Sequence, residues 1–313
     1  MNILITGGCG YIGSRLVNDF LNQGYNVTVI DTLWFGNFLI PSKNLKIIEC
    51  DIRNIKINFF KNIKTVIHLA NIANDPAVAL NEKLSWDVNV YASKLICDFS
   101  IKSGVKQIIY ASSGSVYGIK KEKKVTEDLD LVPISIYNKT KMIAERVFLS
   151  YQKNIKIHCI RPATVCGISP RMRLDVSVNL LTFQALKNKK IKVFGGSQIR
   201  PNINIKDMTR VIFHFIKNNN LTSGVYNAGF ENISILKLAK KIQKRIPSNI
   251  EITKTNDNRS YRLDSSKLIN TGFKKLYSVD DAIEDLINLY NNGKLKNFLS
   301  NYNVKWMNKF KLK

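Results

Sequence analysis

Thr6-Gly7-Gly8-Cys9-Gly10-Tyr11-Ile12-Gly13 is the stretch on which the reading of this chain turns. Before it, Asn2 to Thr6 is a short apolar run. After it, Ile12, Leu16, Val17, Phe20 and Leu21 recur at helical spacing between Tyr11 and Gln23. The segment predicts a strand, a tight turn and a helix. Gly7, Gly10 and Gly13 let the backbone turn sharply and approach a pyrophosphate closely, while the helix start at Tyr11 and Ile12 offers N–H groups and a positive dipole end. A second strand signal, Val27 to Asp31, ends in a carboxylate. Placed there, Asp31 accepts hydrogen bonds from both ribose hydroxyls of a dinucleotide and repels a 2′-phosphate, so the cofactor read from the residues is NAD rather than NADP.

Working outward, further apolar runs of β type occur at Leu45 to Ile48, Val66 to Leu69, Gln107 to Tyr110 and Ile155 to Ile160. Helical stretches at about Leu80 to Ser103 and Tyr137 to Lys153 separate the later ones. Strands and helices that alternate in this way predict a doubly wound α/β fold, a parallel sheet covered on both faces. After Arg161-Pro162 the rhythm changes, with a helix near Val176 to Lys187, a strand Ile191 to Phe194, and amphipathic helices at Ile235 to Ile246 and Val279 to Asn291. The expected division is a Rossmann-type domain over 1–166, with a return at about 200–230, and a smaller C-terminal α/β lobe from 167–199 and 231–313.

Composition narrows the class. The chain has 313 residues, 45% of them hydrophobic, and 48 Lys plus Arg against 23 Asp plus Glu, for a formal charge of +25. The lysines are spread along the whole chain, which reads as a solvated surface rather than a nucleic-acid stripe. No apolar run reaches the roughly 20 residues of a spanning helix, and the start lacks a basic leader, so a cytoplasmic location is expected. Cys9, Cys50, Cys97, Cys159 and Cys166 include no Cys-x-x-Cys pair, so they read as reduced packing residues and no metal is expected. The tail Lys294 to Lys313 mixes Lys with Phe, Trp and Tyr and reads as solvated or loosely docked.

With Asp31, Asp51-Ile52 and His68-Leu69-Ala70 at the ends of successive strands, the glycine turn resembles that of the extended short-chain dehydrogenases/reductases, the family of nucleotide-sugar epimerases and dehydratases. The resemblance implies adenine contact for Asp51 and Ile52, a wall beside the cofactor for Leu69 and Ala70, and a site-shaping role for Asn89. His68 itself reads as a structural residue and is given no catalytic role. The resemblance also implies a homodimer, joined through the helices near Trp86 to Ser103 and Tyr137 to Lys153.

Tyr137 and Lys141 are spaced i and i+4, on one helix face and one turn apart. A lysine ammonium and an oxidised nicotinamide both favour a phenolate, so Tyr137 is the candidate base for a sugar hydroxyl and Lys141 also holds the nicotinamide ribose. The family carries an active-site Ser or Thr ahead of a Tyr-Gly. In Ser112-Ser113-Gly114-Ser115-Val116-Tyr117-Gly118 that alignment points to Ser113, with Ser112 and Ser115 as neighbours that fit less well. The family's sugar 4,6-dehydratases place Asp-Glu directly after that residue. Gly114 and Ser115 stand there instead, which speaks against elimination of water.

On the substrate side, Arg161-Pro162-Ala163-Thr164-Val165-Cys166-Gly167 resembles the family's entry into the substrate lobe, with Thr164 where many epimerases carry Asn and Cys166 in place of the usual Tyr. Arg171, Arg173, Arg200 and Arg259 are the candidates for gripping the diphosphate of a nucleotide sugar, since an arginine fork pairs with two phosphate oxygens at once. The loop Gly167 to Arg173 also resembles bacterial GDP-heptose C4-dehydrogenases. Two outcomes therefore stand open: 4-epimerisation through a bound 4-keto sugar, or C4 dehydrogenation with release of the keto sugar. A non-catalytic NAD-binding regulator has no need of Ser113, Tyr137 and Lys141 together. A nucleic-acid binder would need a basic-aromatic run in the folded part, and none is present.

Overall fold

Uninterrupted apolar strands set the architecture. The computed structural model describes residues 1–255 and 260–310. In chain order the first half forms β1 (Asn2–Thr6), α1 (Tyr11–Asn22), β2 (Asn26–Asp31), β3 (Leu45–Glu49), β4 (Thr65–His68), α2 (Asp75–Val78), α3 (Glu82–Trp86), α4 (Ala92–Lys102), β5 (Gln107–Ala111), α5 (Ile136–Ser150) and β6 (Lys156–Pro162). The second half adds β7 (Thr164–Cys166), α6 (Ser177–Asn188), β8 (Lys190–Phe194), β9 (Ile199–Asn204), α7 (Ile205–Lys217), β10 (Gly224–Ala228), β11 (Glu231–Ser234), α8 (Ile235–Gln243), β12 (Asn249–Thr253), α9 (Ser266–Ile269), α10 (Val279–Asn291) and α11 (Asn303–Phe310).

The main sheet has the order β10-β6-β5-β4-β1-β2-β3, parallel throughout. This is the predicted Rossmann-type doubly wound sheet. Ile3, Ile5 and Ile67 point to one face with α1 and α7, while Leu4, Val66 and Ile108 join the cluster on the other face with α4 and α5. Burial on both faces is why these strands show no polar alternation. The chain order reverses between β1 and β4, and at such a switch point the loops leaving the strand ends part to form a crevice. Two small sheets, β11-β9-β7 and β12-β8, pack with α6, α8 and α10 around a separate apolar cluster that includes Leu181, Val193, Leu238 and Ile283.

One expectation from the sequence needs correction and another is sharpened. The helix expected over Leu80 to Ser103 is α3, a π-helical turn Asp87–Tyr91 and then α4. Asn81 caps α3 by accepting from Leu84 N at 2.9 Å, so Leu80 lies outside, and the π turn sets Asn89 toward the core. Of the two readings of the tail, solvated or loosely docked, the described part fits docking: α11 seats Met307, 5% exposed, in the cluster beneath Trp34 and Phe35, while Lys305, Asn308, Lys309 and Phe310 stay exposed. Val304 and Met307, spaced i and i+3, supply one apolar face that the alternation of Lys and aromatics had masked.

Candidate active site

The crevice at the strand ends holds a cavity of about 580 Å³, whose walls come from the glycine turn, the loops after β2, β4 and β5, the start of α5 and the segment after β7. Gly7 sits at φ +72°, and a Cβ there would lie 2.6 Å from Ala70 N. A Cβ on Gly13 would lie 2.2 Å from Gly7 O. Both positions exclude side chains for steric reasons, so the backbone of the turn itself lines the cavity. Helix α1 begins there at Gly10 with no side chain capping its first turn, and its N–H groups and dipole suit an anion.

Asp31 stands at the end of β2, where its Oδ2 accepts from Cys9 N and its Oδ1 from Leu33 N, each at 2.9 Å. Each oxygen keeps a second lone pair for a ribose hydroxyl. Burial pushes its carboxyl up, and these N–H donors oppose the shift. Asp51 and Ile52 form the next part of the wall, with Asp51 held by Arg53 through Nε at 3.0 Å and Nη2 at 2.7 Å. Burial would raise its carboxyl, but the Arg53 bonds outweigh that and hold it below the usual range. Leu69 and Ala70 line the cavity, Ala70 N donating to Thr6 Oγ1 at 3.3 Å. A glycine cradle, a capless helix start and a bidentate carboxylate acceptor together fit a dinucleotide.

Tyr137, Lys141 and Ser113 reach the cavity together from the first turns of α5 and the loop after β5. Ser135 caps α5 by accepting from Asn138 N at 3.2 Å, which fixes where the first turn begins. Lys141 Nζ donates to Ala111 O at 2.7 Å and lies 4.9 Å from the centre of the Tyr110 ring. Burial pulls its ammonium down to about 7, with the charge of Glu145 opposing. Burial drives the Tyr137 phenol up to about 12, against a hydrogen bond with Ser113. Ser113 is further held by Ser115, its Oγ lying 2.7 Å from Ser115 Oγ. The tyrosine is therefore a weak base on its own, and a cation brought beside it has much to do.

Asn89 lies behind the wall. Its Oδ1 accepts from Ile72 N at 2.8 Å, and its Nδ2 donates to Thr140 Oγ1 at 3.0 Å, tying the loop after β4 to α5. Thr164 lines the cavity from β7, as Arg200 does from β9. Tyr11, Ile12 and Gly10 line it from the turn, while Tyr11 Oη donates to Gly167 O at 2.7 Å and so fastens the far loop to α1. Arg173 and Arg171 line it from that loop; the charge of Arg173 acts on Tyr137, whereas the charge of Arg171 acts on Asp31. Arg259 lies outside the described residues. Cys166 is buried and turns its thiol to Ile203 O at 3.4 Å.

The sequence reading passed over several residues that the structure places here. Asp75 lines the cavity at the start of α2, accepts the Ser135 hydroxyl, and its charge raises the Tyr137 phenol. Asn74 before it holds φ +80°, and the Asn-Asp-Pro run was the available signal of a turn. Glu145, one turn beyond Lys141, pairs with Arg161 at 3.0 Å and 2.6 Å, and Arg161 goes on to Tyr117 Oη at 2.6 Å. Among the described residues no His, Cys, Asp and Glu cluster suits a metal ion, and all five cysteines are free thiols.

Comparison with known proteins adds the lineage. Residues 3–229 match the model of the NAD dependent epimerase/dehydratase family. A UDP-glucose 4-epimerase of Lactobacillus helveticus is 29% identical over 90% of this chain and 95% of its own length. A Bacillus subtilis protein described as an uncharacterized UDP-glucose epimerase, YtcB, is 30% identical over 78% of this chain and 81% of its own. The structure of a UDP-glucuronic acid 4-epimerase from Bacillus cereus, solved with UDP-glucuronic acid and NAD, superimposes with a TM-score of 0.82 at 27% identity, covering 93% of this chain and all of that one. With this match over most of its length, and with the glycine cradle and Tyr-Lys pair in one cavity, the chain belongs to the NAD dependent epimerase/dehydratase family of enzymes.

Proposed function

We propose that this chain is a nucleotide-sugar 4-epimerase that oxidises and re-reduces C4 of the sugar without releasing it. The observation that carries the reading is the meeting of Ser113, Tyr137 and Lys141 in the cavity that the glycine turn and Asp31 also line. NAD, held by the glycine turn and Asp31, would supply reversible hydride exchange with C4. Tyr137 takes the proton of the C4 hydroxyl, and Ser113 donates a hydrogen bond to that same oxygen and orients it. Lys141, in its ammonium form, stabilises the phenolate and holds the nicotinamide ribose. Thr164, Arg173 and Arg200 serve the sugar and its diphosphate. Gly114 and Ser115 carry no carboxylate, so the positions after Ser113 offer no proton-transfer group for elimination. UDP-hexoses are the first substrates to test, because the similar proteins are named for them.

The test is to denature the purified protein, identify the released dinucleotide, and assay UDP-, GDP- and dTDP-sugars for the C4 epimer or a keto product. Epimer without accumulated keto sugar is the expected result. Steady release of keto sugar would make the protein a C4 dehydrogenase instead. Tyr137→Phe should lose turnover while keeping its dinucleotide, and retained turnover would refute the mechanism. The reading also includes a cytoplasmic homodimer. Partly exposed Leu95 on α4 and Ile143 and Val147 on α5 support a helix-pair interface, testable by light scattering. No described helix is long and apolar enough to cross a membrane.

A further inference from the structure

The catalytic reading leaves the C-terminal segment without a task, yet Asn303 and Met307 form part of the cavity wall beside Trp34, Phe35 and Arg171. The segment begins with a tight turn, Leu299–Asn301, and continues into α11. One end is fixed to the loop after β2, where Trp306 Nε1 donates to Trp34 O at 2.6 Å. The other end is fixed to the loop after β7. There Leu174 N donates to Asn301 O at 2.9 Å, and Asn303 N donates to Asp175 Oδ2 at 2.8 Å.

Arg171 joins these anchors. Its Nη2 donates to Ser300 O at 3.0 Å and to Asn303 Oδ1 at 2.6 Å, and its guanidinium lies 4.2 Å from the centre of the Phe35 ring. Its backbone is sewn to α1, with Arg171 N donating to Ser14 Oγ at 3.1 Å and Ser169 Oγ to Tyr11 O at 2.6 Å. Segment, loop and helix start are therefore one hydrogen-bonded frame around the Asp31 end of the cavity. Within that frame Arg171 is 3% exposed, and its Nε has no hydrogen-bond partner among the described residues. Its charge is met inside the frame by the Ser300 carbonyl and the Asn303 amide oxygen, so Arg171 is the tie between the loop after β7 and the C-terminal segment. Burial and then the charge of Arg173 pull this guanidinium down to about 9, with Asp175 and Asp31 opposing. The frame borders Asp31 and the start of α1, where the ribose and pyrophosphate of a dinucleotide would rest.

We propose that Leu299–Phe310 is a strap across the adenosine end of the dinucleotide site, latched by Arg171, and that cofactor release requires the strap to lift. Arg171 thereby serves the dinucleotide rather than the sugar diphosphate. The inference rests on the NAD dependence of the family and not on the identity of the sugar. It is tested with NAD alone on the full-length protein, so its failure is separate from failure of the epimerase reading.

The first measurement is the rate at which bound NAD is displaced by an excess of a fluorescent NAD analogue. Trp306→Ala and Asn303→Ala should each speed release by about tenfold or more, since affinity changes among variants of one site fall mostly on dissociation. Arg171→Met should do the same and also lower equilibrium affinity. Folded Trp306→Ala and Asn303→Ala variants that release NAD at the unaltered rate would overturn the proposal. The second measurement needs no variant. In the unaltered protein, hydrogen exchange at Leu174 N and Asn303 N should slow when NAD saturates the site, and unchanged exchange there would overturn it equally.

Discussion

Glu145→Gln is the substitution that separates the support of the catalytic pair from the pair itself. Glu145 and Arg161 are 2% and 4% exposed, and the carboxylate takes Nε at 3.0 Å and Nη2 at 2.6 Å, a bidentate pair out of contact with water. Glutamine fills the same space but keeps one acceptor oxygen. Its amide nitrogen then faces an arginine N–H, donor against donor. Removing one partner of a buried pair costs about 3–5 kcal/mol, because the remaining charge is stranded. Arg161 retains Tyr117 Oη at 2.6 Å and Glu127 O at 3.4 Å, which places the expected loss near the lower end. At roughly 2–4 °C per kcal/mol for a larger domain, the melting temperature should fall by about 6–12 °C. A second effect follows through Lys141, whose ammonium burial destabilises and Glu145 supports. Without that support the lysine loses its proton at lower pH, so the alkaline limb of turnover should move down. Thermal melts and pH-rate profiles on the NAD-saturated protein measure both. An unchanged melting temperature would refute the energetic reasoning, and a limb that stays put or moves up would refute the electrostatic link.

Other outcomes test separate parts of the site. Burial holds His68 neutral down to about 3 and His158 down to about 4. Between those values and the ordinary histidine value near 6.5 the unfolded chain binds more protons, so stability should fall as pH drops through that window, by about 1.4 kcal/mol per pH unit for each histidine. Denaturant titrations between pH 7 and pH 4 should show this slope, and it should be smaller by one proton in His68→Leu; an equal slope in the variant would contradict the assignment. Gly7→Ala places a Cβ 2.6 Å from Ala70 N at φ +72°. It should destabilise by about 1–3 kcal/mol and leave the purified protein without NAD, read by melting and by absorbance of the denatured supernatant. Asp31→Asn keeps the size of the side chain and removes the charge, so NAD affinity should fall about tenfold while discrimination against NADP narrows. Titration calorimetry with both dinucleotides decides it, and undiminished discrimination would assign the selection to other groups.

The parts of the fold that were legible in the sequence are those whose physics is local. Ile3, Leu4 and Ile5 are apolar on both faces because the central strands are covered on both faces. That run followed by glycines gave strand, turn and helix almost to the residue. The spacing of Tyr137 and Lys141 was equally local, since two residues one helical turn apart must share a face. Reading failed where a residue's task depends on a distant partner. Glu145 looks like any surface acid on α5 until β6 brings Arg161 against it. Asp75 is defined by Ser135, and the tail by Trp34 and Arg171, pairs that no periodicity brings together. Arg171 shows the difference most directly. By residue type and by its place in a loop with Arg173 it was a candidate for the substrate diphosphate, and its guanidinium could indeed pair with one. What argues for the dinucleotide end, in the strap proposal, is the frame of Ser14, Phe35, Ser300 and Asn303 around it. An arginine fork recognises any phosphate or carboxyl oxygen, so its chemistry alone cannot choose a ligand; the choice is made by the backbone that carries it and by the neighbours that use up its other donors.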